Sequence, residues 1–118
     1  MLGAYSLAVL YLGRLGDVNG HIRYLNAHIQ GGYQYLMQNW REGDKISIFG
    51  FSRGAYTARA LAGMLTVVGL LTNDNIEQIP FAYKIFMNSD NNTGAEVALR
   101  FKETFCRDIG EIDFLGVW

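Results

Sequence analysis

An α/β fold, with a parallel sheet and flanking helices, is predicted by three stretches of this 118-residue chain. Gly43 to Leu71, GDKISIFGFSRGAYTARALAGMLTVVGLL, reads in order as a turn, a buried strand, a tight elbow and a helix. Upstream of it, Ile22, Leu25, Ile29, Tyr33, Leu36 and Trp40 recur three or four residues apart, the spacing of one helical face. Downstream, the apolar segment Ile112 to Trp118 reads as a closing strand. Short β-favouring runs separated by helical patterns are the signature of parallel strands joined through helices, with right-handed crossovers.

Taken in order, Leu2 to Leu12 is an apolar run of eleven residues, too short to span a bilayer at about 1.5 Å per residue. It could pass for the apolar part of a signal peptide, but no positive charge precedes it and no clear cleavage site follows. A buried segment or a displaced N-terminus fits better. Gly13 to Gly20 is expected to be a loop, from its glycines, Asp17 and Asn19. The helix that follows contains Gly31-Gly32, where a break or a close packing contact is expected, and Asn26 is a candidate cap for its second half.

The central strand is expected over Lys45–Phe49, with the elbow Gly50-Phe51-Ser52-Arg53-Gly54 and a helix from Gly54 to Val68. Ala55, Ala58, Ala62, Leu65 and Val68 form a stripe of mostly small residues that would let this helix lie close to the sheet. Gly69 ends it, and Leu70-Leu71 can fold back onto it. Thr72 to Gln78 is loop-like, Ile79-Pro80 opens a short helix through Phe86, and Asn88 to Gly94 is again loop-like. A further helix over Ala95 to Phe105 carries Val97, Phe101 and Phe105 on one face, and Asp108 to Glu111 turns into the final strand. No repeat or interdomain linker divides the chain, so one domain is expected over residues 1–118.

The elbow is G-x-S-x-G, and chemistry accounts for its spacing. A serine at a sharp strand-to-helix turn presents its hydroxyl to a pocket, and glycines two residues to either side remove Cβ atoms that would collide there. The first amides of the following helix have no intrahelical acceptor, so the Arg53 N–H would meet an anion forming beside Ser52. A plain Gly-Ser loop is the alternative, since the pentapeptide alone is common. The flanking strand and helix favour the nucleophile. His28 precedes Ser52, against the order serine, acid, histidine usual for this elbow, and is expected at the surface. Tyr56, Thr57 and Arg59 are either ordinary helix surface or, for the arginines Arg53 and Arg59, an attraction for an anionic substrate.

The run GDKISIFGFSRGAYTARALAGML, with VGLL and IPFAYKIF after it, closely resembles the catalytic domain of the type VI secretion phospholipase effector-like family, and its fungal members most. The resemblance covers Leu25 to Trp118, with residues 1–24 divergent. It implies a partial α/β-hydrolase fold, Ser52 as nucleophile and ester bonds, those of phospholipids among them, as substrate. Members carry an earlier first strand with a glycine-rich, aspartate-containing turn that nothing here matches, and the segment matching Phe114 to Trp118 runs into the catalytic aspartate. The chain is therefore expected to stop one residue short of that acid. No histidine follows Ser52, and Asp108 and Asp113 lie at or before the start of the last strand, at the wrong edge for a triad. Negligible hydrolysis by these 118 residues alone is the expectation.

Composition narrows the remaining classes. Ten Lys and Arg stand against eleven Asp and Glu, for a net charge of −1, which disfavours a nucleic-acid partner. Cys106 is the only cysteine, so no internal disulfide or cysteine-based metal site can form, and a reducing, intracellular setting fits. Cys106 itself is expected to be a small buried apolar group near a helix end. His21 and His28 are the only histidines, and no metal or cofactor is expected. Two other functions compete with the hydrolase. One is a non-catalytic fragment that binds an acyl ligand. The other is a nucleotide domain, disfavoured because the turn lacks the P-loop lysine and the dinucleotide spacing.

Overall fold

The structure, a computed structural model, describes the backbone of residues 5–11 and 18–118, with side chains from residue 26 onward except that of Arg53. Strand β1 (Tyr5–Tyr11) is followed by helix α1 (Val18–Asn39), strand β2 (Lys45–Phe51) and helix α2 (Arg53–Val67). The short strand β3 (Leu70–Leu71) leads through a 3-10 turn (Ile76–Gln78) to α3 (Ile79–Met87) and α4 (Asn92–Phe105). Strands β4 (Cys106–Arg107) and β5 (Phe114–Val117) complete the order.

The main sheet has the order β1-β2-β5, and both pairings are parallel. The strand expected at the centre is at the centre. β1 lies in full register along β2, from Tyr5 beside Lys45 to Tyr11 beside Phe51. The apolar N-terminal run is thus a strand of the sheet. The expected loop at Gly13–Gly20 gives way to helix from Val18, and residues 12–17 lie outside the described residues.

α1 runs unbroken through Gly31-Gly32. Two helical glycines cost about 1 kcal/mol each against alanine, but Tyr33, Leu36 and Met37 are wholly buried, and burying such a side chain contributes about 1.5–3 kcal/mol. Packing decides. Asn26 is no cap either: it lies inside α1 and its Oδ1 accepts from the Tyr83 hydroxyl at 2.5 Å. At the other end of the chain, α4 begins at Asn92, three residues early, because the Asn91 side chain accepts from the Gly94 N–H at 2.7 Å and caps the helix. α4 buries Ala98 and Phe101 and leaves Val97 and Phe105 exposed, so its inner face is rotated from the expected one.

The core lies between the sheet and the helices on one of its faces. Ile46 and Ile48 of β2 meet Ala58, Leu61, Ala62 and Leu65 of α2, and α1 packs against α2. On the opposite face, Phe49 stacks with Phe114 and Trp118 at ring-centroid distances of 5.4 and 6.1 Å.

A second, two-stranded antiparallel pairing joins β3 to β4, and side chains lock it to α1. Arg107 donates to the carbonyl oxygens of Met37 (2.6 Å), Trp40 (3.1 Å) and Leu71 (2.8 Å). Its guanidinium stands 5.3 Å from the Trp40 ring centroid. A cation there serves the unpaired carbonyls and the negative dipole end of α1. Cys106 is half-buried at the end of α4, and its thiol donates to the Val68 carbonyl at 3.1 Å.

Tyr33 is the buried tie beside it. Its hydroxyl donates to the Gly69 carbonyl at 2.7 Å and accepts from the Leu71 N–H at 2.9 Å. Tyr33→Phe orphans two buried backbone groups, so a loss of about 2–4 kcal/mol is expected in urea unfolding, with the fold retained.

Burial, the leading cause in both, pushes the Cys106 thiol up to about 11 and the Tyr33 phenol well above its ordinary value. Raised values mean that the neutral forms are preferred in the folded state. Their contribution is therefore fully present below the ordinary pKa values and is lost as pH rises through the folded ones. Stability should fall from about pH 9 upward as the thiol titrates, and further as the phenol follows. In urea titrations at stepped pH, Tyr33→Phe should show a shallower decline above about pH 10 than the parent.

Candidate active site

β2 and α2 meet at a single residue. Gly50 and Phe51 belong to the strand and Arg53 and Gly54 to the helix, so the turn is tighter than the five-residue elbow expected. Non-local pairing explains the longer strand: Trp118 N–H donates to Gly50 O at 2.9 Å, and Ser52 N–H donates to Trp118 O at 2.7 Å. These bonds continue the β2–β5 ladder up to the turn itself.

Ser52 has φ 56 and ψ −117, and among the described residues it alone has positive φ without being glycine. Such a conformation costs on the order of 1–3 kcal/mol and persists only where the surroundings impose it. Here a paired strand on one side and a packed helix on the other impose it. Ser52 stands at the N-cap of α2, where serine ordinarily bonds a helix amide, yet its side chain makes no capping bond. The residue is exposed. Its hydroxyl is thus strained into position and left uncommitted to the helix.

Gly50 is required by space rather than by dihedral angle. A Cβ there would lie 2.2 Å from Gly54 O and 2.7 Å from Ala58 Cβ. The glycines on either side of Ser52 accordingly let α2 start almost on top of β2, with Gly54 buried between them.

Because β1, β2 and β5 run parallel, their carboxyl ends share one edge, and Ser52 sits on it. The acids do not. Asp113 precedes β5, and its Oδ2 accepts from the Ile46 N–H at 2.9 Å near the opposite end of β2. Asp108 Oδ1 accepts from Gly110 N–H at 3.0 Å and holds a local turn. His28 is half-buried in the middle of α1, and the His21 side chain lies outside those described. Arg53 opens α2. Tyr56 and Arg59 are exposed, but Thr57 is wholly buried, contrary to a surface position, and its hydroxyl has no partner among the described residues.

One feature of this region had no signal in the sequence. A cleft of about 550 Å³ opens beside α2, with Ile29 from α1, Tyr56, Arg59 and Ala60 from α2, and Phe86 from α3 among its walls. Its parts are scattered over some sixty positions of the chain and carry no motif.

The model of the family described as T6SS, Phospholipase effector Tle1-like, catalytic domain, matches residues 16–118. An uncharacterized protein of Saccharomyces cerevisiae, YEL023C, is 38% identical over 102 residues, covering 80% of this chain and 15% of the yeast protein. The chain therefore corresponds to a small part of that relative's length. No solved structure gave a significant match. Among the described residues no helix is long and apolar enough to cross a membrane.

Proposed function

This chain belongs to the Tle1-like phospholipase effector catalytic domain family, and we propose that it carries the nucleophile elbow of a lipase-like serine hydrolase, with Ser52 as nucleophile. The observation that carries this reading is the strained, exposed Ser52, uncommitted as a cap, at the carboxyl edge of a parallel sheet. The family supports an ester of a lipid as substrate, and an α/β-hydrolase architecture for the parallel sheet.

In this mechanism Ser52 Oγ attacks the ester carbonyl carbon while its proton passes to a histidine. The carbonyl oxygen becomes an oxyanion facing the N–H of Arg53, the first residue of α2, which has no acceptor within the helix. Collapse of the tetrahedral species expels the alcohol, protonated by the same histidine, and leaves an acyl ester on Ser52 that water then cleaves. Gly50 and Gly54 hold the elbow and take no part in the chemistry.

Residues 53–118 contain no histidine, and Asp108 and Asp113 are committed far from Ser52. The general base and its acid are therefore proposed to come from elsewhere in a longer polypeptide. Without them a serine hydroxyl is a poor nucleophile near neutral pH. A second reading rests on the same fact: these residues keep the elbow as an acyl-binding module without turnover.

Hydrolysis of a short-chain nitrophenyl ester separates the two. The full-length gene product should turn over and the 118-residue chain should not. Equal rates from both would remove the need for an outside base, and a silent full-length protein would favour the binding module.

A further inference from the structure

We infer that Trp118 is a positioning residue for Ser52: its indole, clasped with Phe49 and Phe114 over Gly116, fixes the backbone oxygen that holds the serine in its strained conformation. The kinetic consequence rests on the reading of Ser52 as nucleophile. The conformational consequence stands without it.

Both peptide planes around Ser52 are tied. On the helix side its carbonyl accepts from the Ala55 N–H at 3.0 Å, a local bond that comes with the start of α2. On the strand side its N–H donates to Trp118 O at 2.7 Å, while the Trp118 N–H donates to Gly50 O at 2.9 Å. Trp118 therefore brackets Phe51 with its two backbone groups. These are the last rungs of a ladder in which β5 itself ends at Val117, and among the described residues β5 is an edge strand. Rungs in such a place fray first.

The indole is what anchors them. It stacks on Phe49 at a centroid distance of 6.1 Å with the rings 19° apart, and Phe49 meets Phe114 at 5.4 Å. The rings converge over Gly116, where a Cβ would lie 2.8 Å from Phe114, 2.9 Å from Phe49 and 3.2 Å from Trp118. Glycine leaves the space in which they close. Trp118 is 67% exposed, so the clasp can be removed without opening the core between sheet and helices. The state that it prevents follows from the place of Ser52. A serine at an N-cap ordinarily accepts a bond from a helix amide, and Ser52 makes none. With its N–H released, Ser52 would relax into that cap, and its hydroxyl and a first-turn amide would become partners. The clasp keeps both available for chemistry.

The test uses the full-length gene product and a short-chain nitrophenyl ester. Trp118→Ala should lower kcat by about five- to tenfold, the net worth of one backbone hydrogen bond, with KM near the parent value. Trp118→Phe keeps a ring for Phe49 and should recover about half of the parent kcat or more. Gly116→Ala, which drives the rings apart, should resemble Trp118→Ala. The pH profile of kcat/KM should not move, because no titrating group has changed. Phe105→Ala, at an exposed aromatic on α4, should leave kcat as it is. Hydrogen exchange at the Ser52 amide, read by mass spectrometry, should quicken by about five- to tenfold in Trp118→Ala and in Gly116→Ala.

A raised KM with parent kcat in Trp118→Ala would make the indole a wall of the ester site and overturn the inference. So would a phenylalanine variant no better than alanine, or an equal loss in Phe105→Ala. Should Gly116→Ala unfold, the two Trp118 variants decide alone. A protein without hydrolysis whose Ser52 amide still opens in Trp118→Ala keeps the clasp and removes the nucleophile. Parent rates and unchanged exchange in Trp118→Ala of an active protein do the reverse.

Discussion

Ser52→Ala in the full-length gene product is expected to lower ester hydrolysis by about 10⁴-fold or more, with little change in stability. The size follows from what is removed. Without Oγ there is no acyl-enzyme, and what remains is the stabilisation that the Arg53 N–H and substrate binding give to direct attack by water. The stability change should be small and of either sign. The side chain is exposed and makes no capping bond, and alanine at φ 56 is about as strained as serine. Steady-state kinetics with parallel thermal melts check both halves. A variant retaining more than a few per cent of parent activity would exclude Ser52 as nucleophile.

Gly50→Ala should be the most destabilising of the conservative substitutions near the elbow, by about 3 kcal/mol or more in urea unfolding. The added methyl would meet backbone atoms of Gly54 at 2.2 and 2.6 Å and the Ala58 methyl at 2.7 Å. These neighbours cannot rotate away, so α2 must lift from β2. That movement would also displace the first amides of α2 from Ser52, so activity should fall together with stability. Gly31→Ala provides the contrast. Nothing lies within 4 Å of the Cβ it would add, and it should stabilise α1 by about 0.5–1 kcal/mol. Equal effects from the two substitutions would argue against close packing at the elbow.

The strand, elbow and helix from Lys45 to Val67 were legible because every signal there is local: a short β-favouring run, glycines two residues from a serine, and a stripe of small residues. Ser52's place at a sharp strand-to-helix turn was legible for the same reason. The exact end of β2 was not, since Phe51 is held in the ladder by pairing with a segment some sixty-five residues away. β4 has two residues and no periodicity, and its pairing with β3 together with the Arg107 bonds to Leu71, Met37 and Trp40 explains its position. Gly31-Gly32 misled because propensity is a per-residue cost that the burial of Tyr33, Leu36 and Met37 outweighs. Thr57 was misplaced because the face of α2 that is covered depends on what packs beside it. The cleft could not be read at all. Its walls join α1, α2 and α3, and Arg59 is not distinguished from other surface charges until it borders that space.

The most direct measurement of the central claim is mass spectrometry of the full-length protein after reaction with a fluorophosphonate, which phosphonylates only an activated serine. The account predicts one adduct, on the peptide containing Ser52, abolished by Ser52→Ala and by prior heat unfolding. An adduct that persists in Ser52→Ala, or one that maps to another serine such as Ser47 or Ser89, would contradict it.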